Sequence, residues 1–200
     1  PLNVLEEPEP PPYHQPEHEQ RLRDRAAKLE QVFSDFGINV RVVGINTGQP
    51  NHIVSEAVSQ RKIEALNGYA TLRTEVKYGR NSRIDILLED PGRPPCYVEI
   101  KNVHFFRKPG LAEFPDCVTE RGAKHLVEMS SMVAQGARAV MVYLIQCQAP
   151  QRFALADDKD GNYFAEFRKA KAAGVEAVAL TCHIALGGII VDKTIPIMES

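Results

Sequence analysis

ATLRTEVKYGRNSRIDILLEDPGRPPCYVEIKNV, residues Ala70–Val103, is the stretch on which the fold turns. Leu72, Thr74, Val76 and Tyr78 alternate with Arg73, Glu75 and Lys77, the two-residue period of a half-buried strand over Ala70–Tyr78. Gly79-Arg80-Asn81 supplies a tight turn into a second strand, Arg83–Leu88. Asp90-Pro91-Gly92 and Pro94-Pro95 break the chain again before a third strand, Cys96–Val103. Three short strands joined by short turns read as a meander.

Helices flank it. Upstream, the spacing predicts a helix over Ile53–Leu66, capped by Asn51 and ended by Asn67-Gly68. Downstream, a loop rich in Phe, Pro and Gly leads to a helix over Thr119–Gln135 with Ala123, Leu126, Val127, Met129 and Val133 as its buried face. Ala137–Ile145 is a nearly continuous apolar run, as in a strand covered on both faces. A polar loop, a helix around Tyr163–Ala173 and apolar segments at Ala177–Leu180 and Gly188–Val191 complete the order: α-β-β-β-α-β, then α-β. Before all this, residues 1–20 hold five Glu, six Pro and no Lys or Arg, the composition of an extended arm. A helix from Glu17 to Phe36, ended by Gly37, and a strand over Ile38–Val43 are expected next. The chain divides at residues 1–43 and 44–200.

Composition bounds the function. With 24 basic and 26 acidic residues and a net charge of -2, nucleic-acid binding requires a local basic patch. Cys96, Cys117, Cys147 and Cys182 form no CxxC pair and read as buried free thiols of a reducing compartment. No apolar run reaches the roughly 18 residues that span a bilayer, and no signal peptide is evident. A cytoplasmic protein without membrane contact is expected.

Asp85 lies on the second strand between Ile84 and Ile86. Glu99 and Lys101 lie on the third, two residues apart and so on one face. Antiparallel pairing of the two strands would bring Asp85 beside Glu99. Two carboxylates and an ammonium suit phosphodiester cleavage: the carboxylates, Asp85 and Glu99, hold Mg²⁺ or Mn²⁺ through oxygen, and Lys101 stabilises developing charge. The same pattern suits an exposed salt-bridged strand, worth about 0–1 kcal/mol. Glu56 and Glu64 are expected to face solvent, and Phe105 and Phe106 to pack rather than stack on bases.

The order of elements resembles an α/β, PD-(D/E)xK restriction-endonuclease-like domain, with Ile84 in place of that superfamily's proline. Four stretches, GINTGQPNHIVSEAV from Gly44, EVKYGRNSRIDILLE from Glu75, CYVEIKNV from Cys96 and FPDCVTERGAKHLVEM from Phe114, resemble the sugar fermentation stimulation protein (SfsA) family over residues 44–200. That resemblance implies a bacterial DNA-binding protein linked to regulation of sugar (maltose) metabolism. It also implies that Asp85, Glu99 and Lys101 are the catalytic residues of a metal-dependent endonuclease. Arg121, Lys124 and His125 match the family's RGxKHL-type element, and on a helix Arg121 shares a face with Lys124 or His125 that suits phosphate contact. Asn81 and Arg83 are further DNA-binding candidates. The expected partners are DNA and, in a homodimer, a second copy of the chain.

The family also has an OB-like domain before the Gly44 segment, and residues 1–43 are too few for a five-stranded barrel. PLNVLEEPEPP and LEQVFSDFGINVRVV instead resemble a segment of FtsK-type DNA translocases, without any GxxxxGK[ST] motif. Two alternatives to a nuclease stay open: a non-catalytic DNA-binding regulator, and an inactive fragment lacking the OB-like domain.

Overall fold

The structure, a computed structural model, describes Asp24, Ala27 and residues 49–79, 82–185 and 188–198. The chain forms two compact units, Pro1–Thr47 and Gly48–Ser200. In the first, Asp24 and Ala27 are helical and exposed. The arm, the strand expected at Ile38–Val43, the translocase-like segment and Asn81 lie outside the described residues.

The second unit begins with helix α1, Gln49–Ser59. Pro50 sits in its first turn, where a missing N–H costs nothing. The helix starts earlier and stops sooner than the pattern predicts. Arg61 adopts a left-handed φ of 57°, and the Lys62 and Arg61 N–H groups close back on the Ala57 and Val58 carbonyls. That is a Schellman-type stop, and only a 3₁₀ turn, Glu64–Leu66, follows.

The meander is present as β1 (Thr71–Tyr78), β2 (Ser82–Asp90) and β3 (Arg93–Val103). The expected Phe/Pro/Gly loop is instead a hairpin, β4 (Phe105–Lys108) and β5 (Leu111–Phe114). Lys108 pairs with Leu111 across Pro109-Gly110, with Gly110 at φ 73°, the geometry a Pro-Gly turn favours. Then come α2 (Glu120–Ala134), β6 (Arg138–Ile145), β7 (Arg152–Leu155), α3 (Gly161–Ala172), β8 (Glu176–Ala185), β9 (Gly188–Ile195) and β10 (Ile197–Met198).

A six-stranded sheet runs β1-β2-β3-β6-β8-β9, and a small sheet runs β10-β7-β5-β4. β3, β6 and β8 are parallel. The outer pairs β1·β2, β2·β3 and β8·β9 are antiparallel. β6 carries both cores. Val140, Val142 and Leu144 pack with Ile53, Val54 and Ala57 of α1, while Met141, Tyr143 and Ile145 pack with Leu126 of α2, Tyr163 of α3 and Phe153 of β7. Helix α1 therefore covers one face, and α2, α3 and the small sheet cover the other.

Asp160 joins the two helices on that second face. Its Oδ1 accepts from Tyr163 N–H as the cap of α3, and its Oδ2 accepts from the N–H of Thr119, the cap of α2, at 2.7 Å. Cys96 and Cys182 are buried free thiols, as expected, whereas Cys117 is exposed and Cys147 half-buried because each lies in a connecting segment. Among the described residues no helix is long and apolar enough to cross a membrane.

Candidate active site

β2 carries its alternation correctly from Leu88 back to Ile86, then slips. Ile86 packs in the core under α1, and Ile84, two residues away, packs with Tyr78, Leu87, Tyr97 and Met132 of α2. The partner strand has its own irregularity at the same level. Thr74 pairs with Ile86 and Val76 with Ile84, and Glu75 between them holds φ 54°. A left-handed Glu in a strand is strained by about 1–3 kcal/mol, and such strain gathers at functional sites. Asp85 sits at the slip.

The β2–β3 ladder reaches Ile86↔Val98. Just past it, the Asp85 carboxylate supplies the missing partner: its Oδ2 accepts from Ile100 N–H at 2.7 Å. Its Oδ1 accepts from Asn51 Nδ2 at 2.9 Å, and the same amide lies 3.4 Å from Glu75 Oε1. Asn51 therefore ties α1 to the acidic strand and does not cap the helix.

Glu99 is 3% exposed, on the face of β3 that meets α2. Its Oε1 takes two donors, Lys101 Nζ at 2.8 Å and His125 Nδ1–H. Arg121 Nε donates to the other ring nitrogen of His125 at 3.5 Å, which leaves Nδ1 as the protonated position. Glu99 Oε2 is buried and has no partner.

The electrostatics separate the two acids. Burial, and next the charge of Glu99, push the Asp85 carboxyl up to about 6, against the Ile100 and Asn51 hydrogen bonds and the Lys101 charge. Burial also opposes ionisation of Glu99, but the His125 hydrogen bond and the Lys101 ammonium outweigh it and hold that carboxyl below its ordinary value.

The structure brings Asp85, Glu99, Lys101 and His125 together, with Arg121 behind the histidine. It does not set His125 on a phosphate-facing surface. At 4% exposed, the imidazole is turned inward because a buried carboxylate needs a donor. Lys124, half exposed, lies 3.7 Å from Glu128 Oε1. Arg83 is exposed and donates to the Glu75 carbonyl at 3.3 Å. Glu56 and Glu64 face solvent as expected. Sequence reasoning gave no site role to Glu75 and read Asn51 as a helix cap, whereas the structure sets both beside Asp85.

The donors suit a hard, oxygen-liganded cation. They are carboxylates, one has a buried oxygen with nothing bound, and a cation would relieve the Asp85–Glu99 repulsion. Among the described residues no three His, Cys, Asp or Glu stand close enough to form a complete protein cage, so water or substrate oxygens would fill the remaining positions.

Residues 48–188 match the family model of the sugar fermentation stimulation protein RE domain. The sugar fermentation stimulation protein homolog of Azorhizobium caulinodans is 54% identical over 178 residues, covering 87% of this chain and 75% of that protein. The homolog of Rhodospirillum centenum is 59% identical over 175 residues, covering 88% and 75%. Among solved structures, Pyrococcus furiosus SfsA in complex with Ca²⁺ matches with a TM-score of 0.70 at 26% identity, over 78% of this chain and 67% of that one.

Proposed function

This chain belongs to the sugar fermentation stimulation protein family, and from that premise we propose that its second unit is a PD-(D/E)xK-type nuclease domain that hydrolyses DNA with Mg²⁺ or Mn²⁺ in the cytoplasm. The order α1-β1-β2-β3-α2-β6, interrupted by the β4–β5 hairpin before α2 and with the acids on β2 and β3, supports this reading. The observation that carries it is the Glu99 Oε2 atom, a buried carboxylate oxygen with no partner beside a second carboxylate. Such an atom costs about 1–3 kcal/mol unless something binds it. The Ca²⁺ in the Pyrococcus relative also favours an oxygen-liganded cation.

Asp85 and Glu99 would hold the cation, which when bound lowers the pKa of water and offsets phosphate charge. The Ile100 N–H and Asn51 fix the Asp85 carboxylate in orientation. His125 and Lys101 lock Glu99 by one oxygen and leave the other presented. The Lys101 ammonium also adds positive charge where the attacked phosphate becomes more negative. Arg121, Lys124 and Arg83 offer exposed cationic groups for phosphate contacts that orient the duplex without reading its sequence. The link to sugar metabolism would run through this DNA binding.

Plasmid and single-stranded DNA are to be incubated with Mg²⁺ or Mn²⁺ and either the parent chain or Glu99→Ala. Metal-dependent cutting by the parent, lost in the variant, is expected. Cutting retained by a pure variant sinks the reading. The second reading is a DNA-binding regulator without turnover, supported by the exposed cations Arg121, Lys124 and Arg83, and binding with no cutting by the parent would select it.

A further inference from the structure

Helix α3 presents two stripes, and the core uses one of them. Tyr163, Phe167 and Ala170 are buried in the core shared with α2 and β6. Phe164, Arg168 and Lys171 recur at i, i+4 and i+7 and form the neighbouring stripe. That stripe stands beside β10, the two-residue strand that closes the small sheet by pairing with β7. Helix and strand enclose a cavity of about 200 Å³, walled by Leu155, Phe167, Ile197 and Met198 together with the three residues of the stripe. Leu155 and Phe167 are nearly buried, Phe164 and Ile197 half-buried, and Met198 is 48% exposed, so the apolar wall runs from a dry floor to a wet rim. A second hollow of about 190 Å³ shares Phe167, Lys171 and Ile197 with it and extends the lining to Ala177 and Ile195.

The cations are an independent observation. Arg168 and Lys171 are exposed, and among the described residues no carboxylate pairs with either. Lys169, between them on the chain, instead pairs with Glu166 at 2.6 Å. Two uncompensated cations one helical turn apart on the wall of an apolar cavity set a requirement with two parts. An inorganic anion would meet the charges and leave the cavity wet. A neutral hydrocarbon would fill the cavity and leave the charges. A molecule with an apolar body and one anionic head meets both, the usual division of labour in a small-molecule site.

We propose that this cavity binds a small amphipathic carboxylate, an alkyl or aryl acid whose body packs on Leu155, Phe167 and Met198 and whose head meets Arg168 and Lys171. The planar guanidinium of Arg168 matches both carboxylate oxygens, and Lys171 adds a point charge. The unbranched thioether of Met198 adapts to the shape of the body. The volume is below the roughly 300–1,000 Å³ of sites for drug-sized ligands, so the acid is a short one. No residue of the Asp85–Glu99 site lines the cavity, so this assignment and the nuclease reading stand or fall separately.

The test is titration calorimetry on the full chain with octanoate. Saturable binding is expected, about tenfold tighter than that of hexanoate because two more methylenes are buried. Octanol and inorganic phosphate each carry half of the recognised chemistry and should bind at least about fivefold more weakly than octanoate. Octanoate should shift the Met198 methyl resonance. Arg168→Gln/Lys171→Gln changes two exposed residues and keeps helix propensity. It should weaken octanoate by about fivefold or more and leave octanol unchanged. No saturable octanoate binding overturns the proposal. So does octanol or phosphate that binds as tightly as octanoate, a double variant with parent-like octanoate affinity, or a Met198 methyl that does not move.

Discussion

Ile84 and Ile86 lie two residues apart on one strand and pack in different cores, one against the α2 side and the other under α1. Regular pleating would put them on the same face. The slip between them turns Asp85 toward the end of β3, opposite the left-handed Glu75 on β1. The acid reaches both Ile100 N–H and Asn51 because the strand is irregular there.

The strain at Glu75 gives the first prediction. Glycine inside a strand ordinarily costs about 0.5–1 kcal/mol. At this position it would relieve a positive φ, so Glu75→Gly should be neutral or stabilising by up to about 1 kcal/mol. Urea denaturation of the two proteins measures it, and a loss above 1 kcal/mol would contradict it.

His125 should act on cation affinity rather than on folding alone. Partners that orient a ligating carboxylate typically change metal affinity by about 10–100-fold. His125→Gln should weaken Mn²⁺ binding by that amount in a titration while circular dichroism stays that of the parent. Parent-like affinity would mean that Glu99 needs no orienting imidazole.

The pH dependence has a definite sign. Asp85 ionises near 6 in the cation-free fold against an ordinary 3.8, so the folded state holds this proton the more tightly. Its contribution to stability falls as pH rises through that window. Glu99 runs the other way, with a contribution present above its ordinary 4.5 and lost only in more acid solution. A divalent cation selects the ionised pair, so Mg²⁺ or Mn²⁺ should raise Tm at about pH 7.5. The gain is about 2.7 kcal/mol at a hundredfold excess over Kd, or roughly 5–11 °C. At about pH 5 the rise should be about half as large, because Asp85 must first lose its proton. Equal rises at the two pH values would remove Asp85 from the cation site.

Asp160 should carry fold stability without touching the site. Asp160→Ala uncaps α3 and leaves the Thr119 N–H without its partner, a cost of about 2–3 kcal/mol and a Tm lower by roughly 4–12 °C. Mn²⁺ affinity at a temperature where the variant is folded should match the parent. Thermal melts and a titration decide both parts.

DNA binding should depend on Lys124 differently from His125. Lys124→Ala should weaken binding about equally across sequences and lower the salt slope by about 1, since the ammonium is exposed. A fluorescence titration at several salt concentrations measures the slope, and an unchanged slope would remove Lys124 from the phosphate contacts.

The meander was legible because its turns carry Gly, Asn, Asp and Pro and its strands alternate. β6 was legible as an unbroken apolar run. The hairpin β4–β5 was not, since each strand has four residues and Pro109-Gly110 reads equally as loop. β7 and β10 gain their order from a small sheet whose neighbours are distant in sequence. At the site, the spacing of Glu99 and Lys101 put both on one face, as found. The inward turn of His125 was not legible, because helical periodicity groups it with Arg121 but cannot say that a carboxylate on another element requires it. Asn51 was misread for a related reason: its residue type suits a cap, and its actual partner lies 34 positions away.

The double engagement of Glu99 Oε1 would also set the denticity of a cation held in the proposed site. A carboxylate with one oxygen committed to an ammonium and an imidazole offers a metal a single point of attachment. Large ions that gather six to eight oxygens often draw on two-oxygen grips, whereas a compact octahedral ion is content with single ones and keeps several waters. If the proposed site takes a cation, the histidine and lysine would favour the smaller ion, by occupying the half of Glu99 that a two-oxygen grip would use.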